Sequence, residues 1–148
     1  MVITQVKKEK RGTDVVESLL AVWESSVRAT HDFLKEGDVE YLRPFVEQGL
    51  QEAPLLFCVE ESGMPVGFLG MEGDSIEMLF VAAEFRGRGI GSALMRQALT
   101  LGASRVDVNE QNPQALGFYR HFGFEVTARD DMDGLGLPFP ILHCELKK

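Results

Sequence analysis

A strand, a glycine-rich loop and a helix follow one another across residues 79–92, LFVAAEFRGRGIGS. Gly87, Gly89 and Gly91 alternate with larger residues, so the backbone can adopt positive φ and lie close to a ligand. The first N–H groups of the helix have no partner inside it, and the aligned peptide dipoles favour an anion there. The stretch therefore predicts a phosphate-binding site.

Arg86 and Arg88 add two positive charges to this loop. A Walker loop ends in Gly-Lys followed by Ser or Thr, whereas this loop ends in GIGS. A dinucleotide-binding fingerprint has glycines at its first, third and sixth positions, and no glycine of the loop begins such a series. What remains is Arg-x-x-Gly-x-Gly over residues 86–91, between a strand and a helix.

A second motif lies downstream at residues 112–124, NPQALGFYRHFGF. Its pattern, Asn-x-x-Ala-x-x-Phe-Tyr-x-x-x-Gly-Phe, resembles a signature of the GCN5-related N-acetyltransferases (GNAT family), and the Arg-x-x-Gly-x-Gly loop resembles their other signature. The two motifs stand in the family's order, with a short helix and a strand between them. The resemblance covers the whole chain and extends to THDFL at 30–34 and NEQN at 109–112, as in small single-domain members.

The resemblance implies that acetyl-CoA is the co-substrate. In the family, the loop holds the pyrophosphate and the backbone of the fourth strand pairs with the pantetheine arm. The cofactor-binding residues that it implies here are Leu79, Phe80, Val81, Arg86, Gly87, Arg88, Gly89, Ile90, Gly91, Ser92 and Asn112.

Tyr119 matches the family tyrosine that protonates the departing CoA thiolate, so the resemblance implies that it is the general acid. On the predicted helix it shares a face with Ala115 and Phe122, which turns it toward the sheet. A phenol with a pKa of ~10 keeps its proton at neutral pH, and the thiolate of a thiol with a pKa of ~8.5 is a good acceptor. The alternative is a core tyrosine whose hydroxyl is satisfied within the protein.

The base that deprotonates the amine has two candidates. An amine of lysine type, with a pKa of ~10.4, must lose a proton before it attacks. Glu77 interrupts an apolar strand and, by strict alternation, shares a face with Leu79 and Val81; the alternative is a carboxylate that faces solvent or pairs with an arginine. His31, on the connection between the first two helices, has a suitable intrinsic pKa but can equally be a wall residue or a helix-end hydrogen bonder.

The spacing of apolar residues, caps and turns predicts the elements that position these groups. We expect strands at 2–6, 55–59, 66–70, 75–81, 105–108, 124–127 and 141–146. We expect a first helix at 14–29, a second that ends near 52 with a bend or restart at Pro44, a third that begins after 89, and a fourth at 113–122. The order predicts one α/β domain over residues 1–148, a mostly antiparallel mixed sheet of about seven strands with about four helices on both faces. The resemblance adds a splay between the fourth and fifth strands.

The composition restricts the function classes. With 15 basic and 23 acidic residues the chain does not resemble a nucleic-acid-binding protein, and no apolar run approaches membrane length, so we expect a cytoplasmic protein without nucleic-acid or membrane partners. Cys58 and Cys144 lack metal-ligand spacing, which predicts reduced core cysteines and no metal site. Residues 32–77 hold eleven acidic residues against two basic ones; this region is either solvated surface or attracts a cationic amine.

The sequence therefore predicts an acetyl-CoA-dependent N-acetyltransferase in which a primary amine, on a small molecule or a peptide, attacks the thioester directly. The alternative is a CoA-binding sensor or structural module without turnover. Strands 2–6 and 141–146, as expected sheet edges, could pair in a homodimer, so a monomer and a homodimer both remain open.

Overall fold

A computed structural model describes residues 1–30 and 32–147 of the chain. The strands are β1 Ile3–Gln5, β2 Leu55–Glu61, β3 Met64–Glu72, β4 Ser75–Val81, β5 Arg105–Asn109, β6 Phe124–Asp130 and β7 Ile141–Leu146, and the helices are α1 Thr13–Thr30, α2 Glu36–Glu52, α3 Ile90–Thr100 and α4 Pro113–His121. They form a sheet in the order β1-β2-β3-β4-β5-β7-β6, in which β4 and β5 are parallel and the other neighbours antiparallel. The predicted mixed sheet with four helices is confirmed.

The sheet separates two apolar cores, one on each face. On one face, α1 and α2 pack against β2, β3 and β4, with Leu19, Leu20, Leu50 and Phe68 fully buried. On the other face, α3 and α4 pack against residues of β2 to β7. Cys58 lies in the first core and Cys144 in the second, both buried and free, as the sequence predicted.

Helix α2 runs through Pro44 without restarting, contrary to one of the two expectations for this position. Proline has no N–H to donate to the carbonyl of Glu40. Glu40 is exposed, so water can satisfy that carbonyl and the helix continues. Burial of Val39 before the proline and of Leu50 after it holds both halves against the sheet.

A β-bulge interrupts β4 at Glu77. Met78 pairs with Gly70 and Ile76 with Met71, so Glu77 is the extra residue without a partner on β3. The bulge puts Ile76 in the same core as Leu79 and Val81, with Met78 and Phe80 in the opposite one. The strict alternation from which Glu77 was predicted to share a face with Leu79 and Val81 therefore does not hold here, because the bulge interrupts it at this residue.

The strand at the far edge of the sheet is β6, not β7 as the sequence led us to expect. β7 pairs with β5 over five residues and with β6 on its other side. Its Leu142 and Cys144 are buried, whereas Phe124 is the one buried residue of β6. The strand with the more apolar inward face takes the interior position, which leaves β1 and β6 as the edges.

Across residues 1–30 and 32–147, no helix combines the length and the apolarity that crossing a membrane requires.

Candidate active site

β4 and β5 form a wedge that opens toward one end of the sheet. They pair with each other only at Ser75 with Arg105 and at Ile76 with Val106. Beyond these residues β4 runs on to Val81 and β5 to Asn109 without pairing with each other. The predicted splay between the fourth and fifth strands is confirmed. A cavity of about 420 Å³ fills the opening. Ligands of open α/β sheets bind at such positions, where neighbouring strands diverge.

The glycine loop forms the wide end of this cavity. Gly87 has φ +77° and Gly89, the N-cap of α3, has φ +82°, values that only glycine adopts readily. A Cβ atom at either position would meet nothing within 4 Å, so the backbone there is open to a ligand. The intrahelical bonds begin with Ala93 N–H, which donates to the carbonyl of Gly89 at 3.0 Å, so among the described residues the three preceding N–H groups are free to bind an anion.

Most of the predicted site residues meet in this cavity. Its lining includes Glu77, Leu79, Phe80, Val81, Arg86, Gly87, Gly89, Ile90, Gly91, Ser92, Asn112 and Tyr119. Arg88 is not part of the lining, and His31 lies outside the described residues. Asn112 caps α4, because its Oδ1 accepts a hydrogen bond from Ala115 N–H at 3.1 Å.

Tyr119 lies at the inner wall, with 8% of its surface exposed. Its ring packs edge-on against Phe118 and Phe124, with centroids 5.3 and 5.9 Å away. Burial, and to a lesser extent the neighbouring Cys144, raises the pKa of Tyr119 above its ordinary value, so the phenol keeps its proton. Within residues 1–30 and 32–147, the Tyr119 hydroxyl has no hydrogen-bond partner. Every fully buried polar side-chain atom of these residues has a partner, so the Tyr119 hydroxyl is not fully buried and reaches the cavity.

Glu77, at the bulge, lies where the wedge closes. Partial burial, followed by the charge of Glu72, raises the pKa of the Glu77 carboxyl above its ordinary value. Glu77 also borders a second cavity, of about 510 Å³, that lies between α2 and β4 and includes Trp23 and Phe45. Glu77 therefore borders both the cavity that begins at the glycine loop and a cavity between α2 and β4.

The sequence comparisons agree with this geometry. Residues 52–126 match the Acetyltransferase (GNAT) domain family. The chain is 45% identical to the Peptidyl-lysine N-acetyltransferase YjaB of Salmonella typhimurium, over 86% of this chain and 88% of the relative. This chain belongs to the GNAT acetyltransferase family.

Two further comparisons support the assignment. The YjaB protein of Escherichia coli is 44% identical over 86% of this chain and 87% of its own length. The solution structure of apo-form YjaB from Escherichia coli superimposes with a TM-score of 0.83 at 40% identity, covering 98% of this chain and 97% of that one. The prediction of an N-acetyltransferase enzyme with the GNAT fold is confirmed.

Arg88 lies outside the lining of the GNAT cavity. Its guanidinium stacks over the Phe85 ring, 4.8 Å from the centroid, and pairs with Glu61 of β2 at 3.8 Å. Arg86, two residues earlier, lines the cavity instead. The two arginines of this GNAT loop therefore have different surroundings, and of the two only Arg86 contributes to the cavity wall.

This difference gives a matched pair of variants. Arg86→Ala should raise the Kd of acetyl-CoA about fivefold at low salt, because we expect the Arg86 guanidinium to make a charge-assisted contact to phosphate. Arg88→Ala should change the Kd less than about twofold, since an exposed ion pair contributes little. Calorimetric titration at 20 and 300 mM salt checks this: the salt dependence should be shallower for Arg86→Ala than for the wild type. Equal effects of the two variants would contradict the assignment.

Several wall residues of the GNAT cavity were missed from the sequence. Ser26 and Thr30 reach it from α1, Asp107 and Asn109 from β5, and Phe118 from α4. The sequence could have indicated Ser26, because it is a polar residue on the otherwise apolar stripe of α1, where it is buried. Asp107 and Asn109 alternate with two buried valines at the carboxyl end of a strand, which is where ligands of open sheets bind.

Proposed function

We propose that this chain transfers the acetyl group of acetyl-CoA to the ε-amine of lysine residues in peptides or proteins. The observation that carries the proposal is the continuous cavity, which begins at the glycine loop and ends at Tyr119 and Glu77. The end at the glycine loop suits the phosphates of a polyanionic thioester. At the other end, Tyr119 as proton donor and Glu77 as carboxylate suit aminolysis, the attack of an amine on the thioester carbonyl. The lysine acceptor is supported by the names of the YjaB relatives, which are similar over nearly their whole length.

The residues of the chain divide the binding of acetyl-CoA between two elements. The free N–H groups at the start of α3 and the guanidinium of Arg86 bind the pyrophosphate. The backbone of Leu79, Phe80 and Val81 has no partner on the β5 side, so it can pair with the amide groups of the pantetheine arm. Acetyl-CoA supplies the activated carbonyl, and a backbone N–H of β4 directed at its oxygen stabilises the negative charge that develops there.

The transfer needs proton movements at the amine and at the thiolate, and no covalent enzyme intermediate. The neutral amine attacks the carbonyl carbon, a C–N bond forms, and the C–S bond breaks. Tyr119 donates its proton to the departing thiolate. Glu77 takes the proton that the ammonium form of the amine must lose before attack, directly or through a water, and the surplus proton of the nitrogen after attack passes through water to the phenolate of Tyr119. Neither Cys58 nor Cys144 lines the cavity, which agrees with direct attack.

Glu77→Gln should lower kcat/KM for the amine about tenfold; water can replace part of the function of a partly exposed base. For the wild type, kcat/KM should fall as the pH drops through the raised pKa of Glu77, at a pH above the ordinary value of 4.5. A carboxyl group whose pKa is raised in the folded state stabilises the fold only at low pH and loses this contribution as the pH rises. Thermal unfolding of Glu77→Gln at pH 7 should therefore show an equal or higher Tm. An unchanged kcat/KM would contradict the proposed base.

The function is tested by an amine panel. Purified protein and acetyl-CoA are incubated with Nα-acetyl-lysine amide, a lysine-containing peptide, spermidine and free amino acids, and thiol release is followed together with mass spectrometry of the acceptor. We expect acetylation at the ε-nitrogen of the lysine compounds. Faster transfer to a small polyamine or amino acid would refute the lysine acceptor. Acetyl-CoA binding without transfer to any amine would favour the alternative of a CoA-binding sensor.

A further inference from the structure

Two acidic residues stand on neighbouring strands where the wedge between β4 and β5 begins. The last paired residues are Ile76 and Val106, and the next residue on each strand is Glu77 on β4 and Asp107 on β5. Both line the cavity that leads to the glycine loop. Both also line a cavity of about 500 Å³ on the sheet face opposite α3 and α4. The two side chains therefore flank one passage from opposite strands.

A histidine holds the second of these carboxylates. His143 is directly opposite Asp107 in the β5–β7 ladder, and its Nδ1 lies 2.7 Å from Asp107 Oδ1. Its Nε2 lies 2.6 Å from Oδ2 of Asp130 on β6. Because ionised carboxylates only accept hydrogen bonds, both ring nitrogens must donate, which is the imidazolium form. The hydrogen bonds that His143 donates to Asp130, and then to Asp107, raise the pKa of His143, in agreement with this form.

The charges around this passage favour a cation. Besides Asp107 and Glu77, the cavity on this face is bordered by Glu72 and Glu145, and by the cations Arg105 and His143. The guanidinium of Arg105 donates twice to Asp74 Oδ1, at 2.9 and 3.1 Å. His143 lies between two carboxylates. The cations of the cavity are thus engaged by carboxylates, whereas Asp107 uses one oxygen for His143 and keeps 64% of its side chain exposed.

We propose, building on the lysine acetylation proposed above, that Asp107 binds the ammonium group of the incoming lysine and that His143 is the positioning residue that orients its carboxylate. The ammonium binds at Asp107 from the open face of the sheet. Glu77, one strand away, then takes the proton as the nitrogen moves toward the thioester. The register of β4 and β5 places the specificity-determining carboxylate and the base side by side.

The test measures binding and turnover separately. Nα-acetyl-lysine amide and its apolar isostere Nα-acetyl-norleucine amide are titrated by NMR into the CoA-bound wild type and into Asp107→Asn. The Kd of the lysine compound should rise about tenfold in Asp107→Asn, the loss expected for a charge-assisted hydrogen bond, while the norleucine compound should bind both proteins equally weakly. The KM for the lysine compound should rise by a similar factor, with kcat and the Kd of acetyl-CoA within about twofold.

Glu145→Gln is the matched control, because it removes the same charge from the same cavity two register pairs away. It should change the Kd of the lysine compound less than about twofold. His143→Phe should give part of the loss seen in Asp107→Asn and add nothing when combined with it, and His143→Gln, which keeps a donor, should restore binding.

Two results would overturn the inference: equal lysine binding by the wild type and Asp107→Asn, or equal losses in Asp107→Asn and Glu145→Gln. Lysine binding that depends on Asp107 but leads to no acetyl transfer would refute the proposed function and leave the ammonium site in place.

Discussion

Tyr119→Phe should lower kcat for acetyl transfer about 10³-fold while the Kd of acetyl-CoA changes less than about twofold. The substitution removes one oxygen atom and keeps the ring, so the contacts with Phe118 and Phe124 remain. What is lost is the proton for the thiolate, which is needed only as the C–S bond breaks; the loss therefore appears in kcat and not in binding. Stopped-flow measurement of thiol release checks the expected loss of kcat, and calorimetry of acetyl-CoA binding checks the nearly unchanged Kd.

The pH profile provides a second readout for this residue. Because burial raises the pKa of Tyr119, its deprotonation should not produce an alkaline loss of activity below about pH 10. Tyr41→Phe is the control, since Tyr41 is the other tyrosine of the chain and lies exposed on α2, with its ring tilted against that of Phe45. It should leave kcat unchanged. A Tyr119→Phe enzyme with wild-type kcat would show that the thiolate leaves without this proton.

Gly89→Val should raise the Kd of acetyl-CoA about 30-fold. Gly89 is the N-cap of α3 at φ +82°, a conformation that is a genuine outlier for a β-branched residue. The protein then either holds the strained conformation or lets the loop turn its N–H groups away from the phosphates. The substitution does not create a packing clash, since a Cβ atom there would meet nothing within 4 Å. Calorimetric titration with acetyl-CoA measures the effect.

The control for Gly89→Val is Gly102→Val, at the other end of α3. Gly102 has φ +91° and a Cβ atom there would also meet nothing within 4 Å. Both substitutions should cost about 1–2 kcal/mol of stability, seen as similar losses of Tm, because both force a side chain into a left-handed conformation. Only Gly89→Val should weaken acetyl-CoA binding. If Gly102→Val weakened it equally, general destabilisation would be the cause and the loop would not be the phosphate site.

The sequence by itself determined the features that depend on neighbouring residues. The order of strands and helices followed from apolar periodicity, the start of α4 from Asn112 and Pro113, and the glycine loop from its spacing. These signals are local, since a cap, a positive φ and an amphipathic stripe each involve residues within a few positions of one another. The two motifs also sufficed to indicate the GNAT family, which the comparisons confirmed.

The tertiary structure alone decided the features that depend on pairing between distant segments. The bulge at Glu77 arises from the register of β4 on β3, and the interior place of β7 from its pairing with both β5 and β6. The pairing of Arg88 with Glu61 and of Asp107 with His143 joins residues 27 and 36 positions apart in the chain. Strand register and the direction of long side chains are fixed by packing across the whole sheet, so no short stretch of sequence contains them.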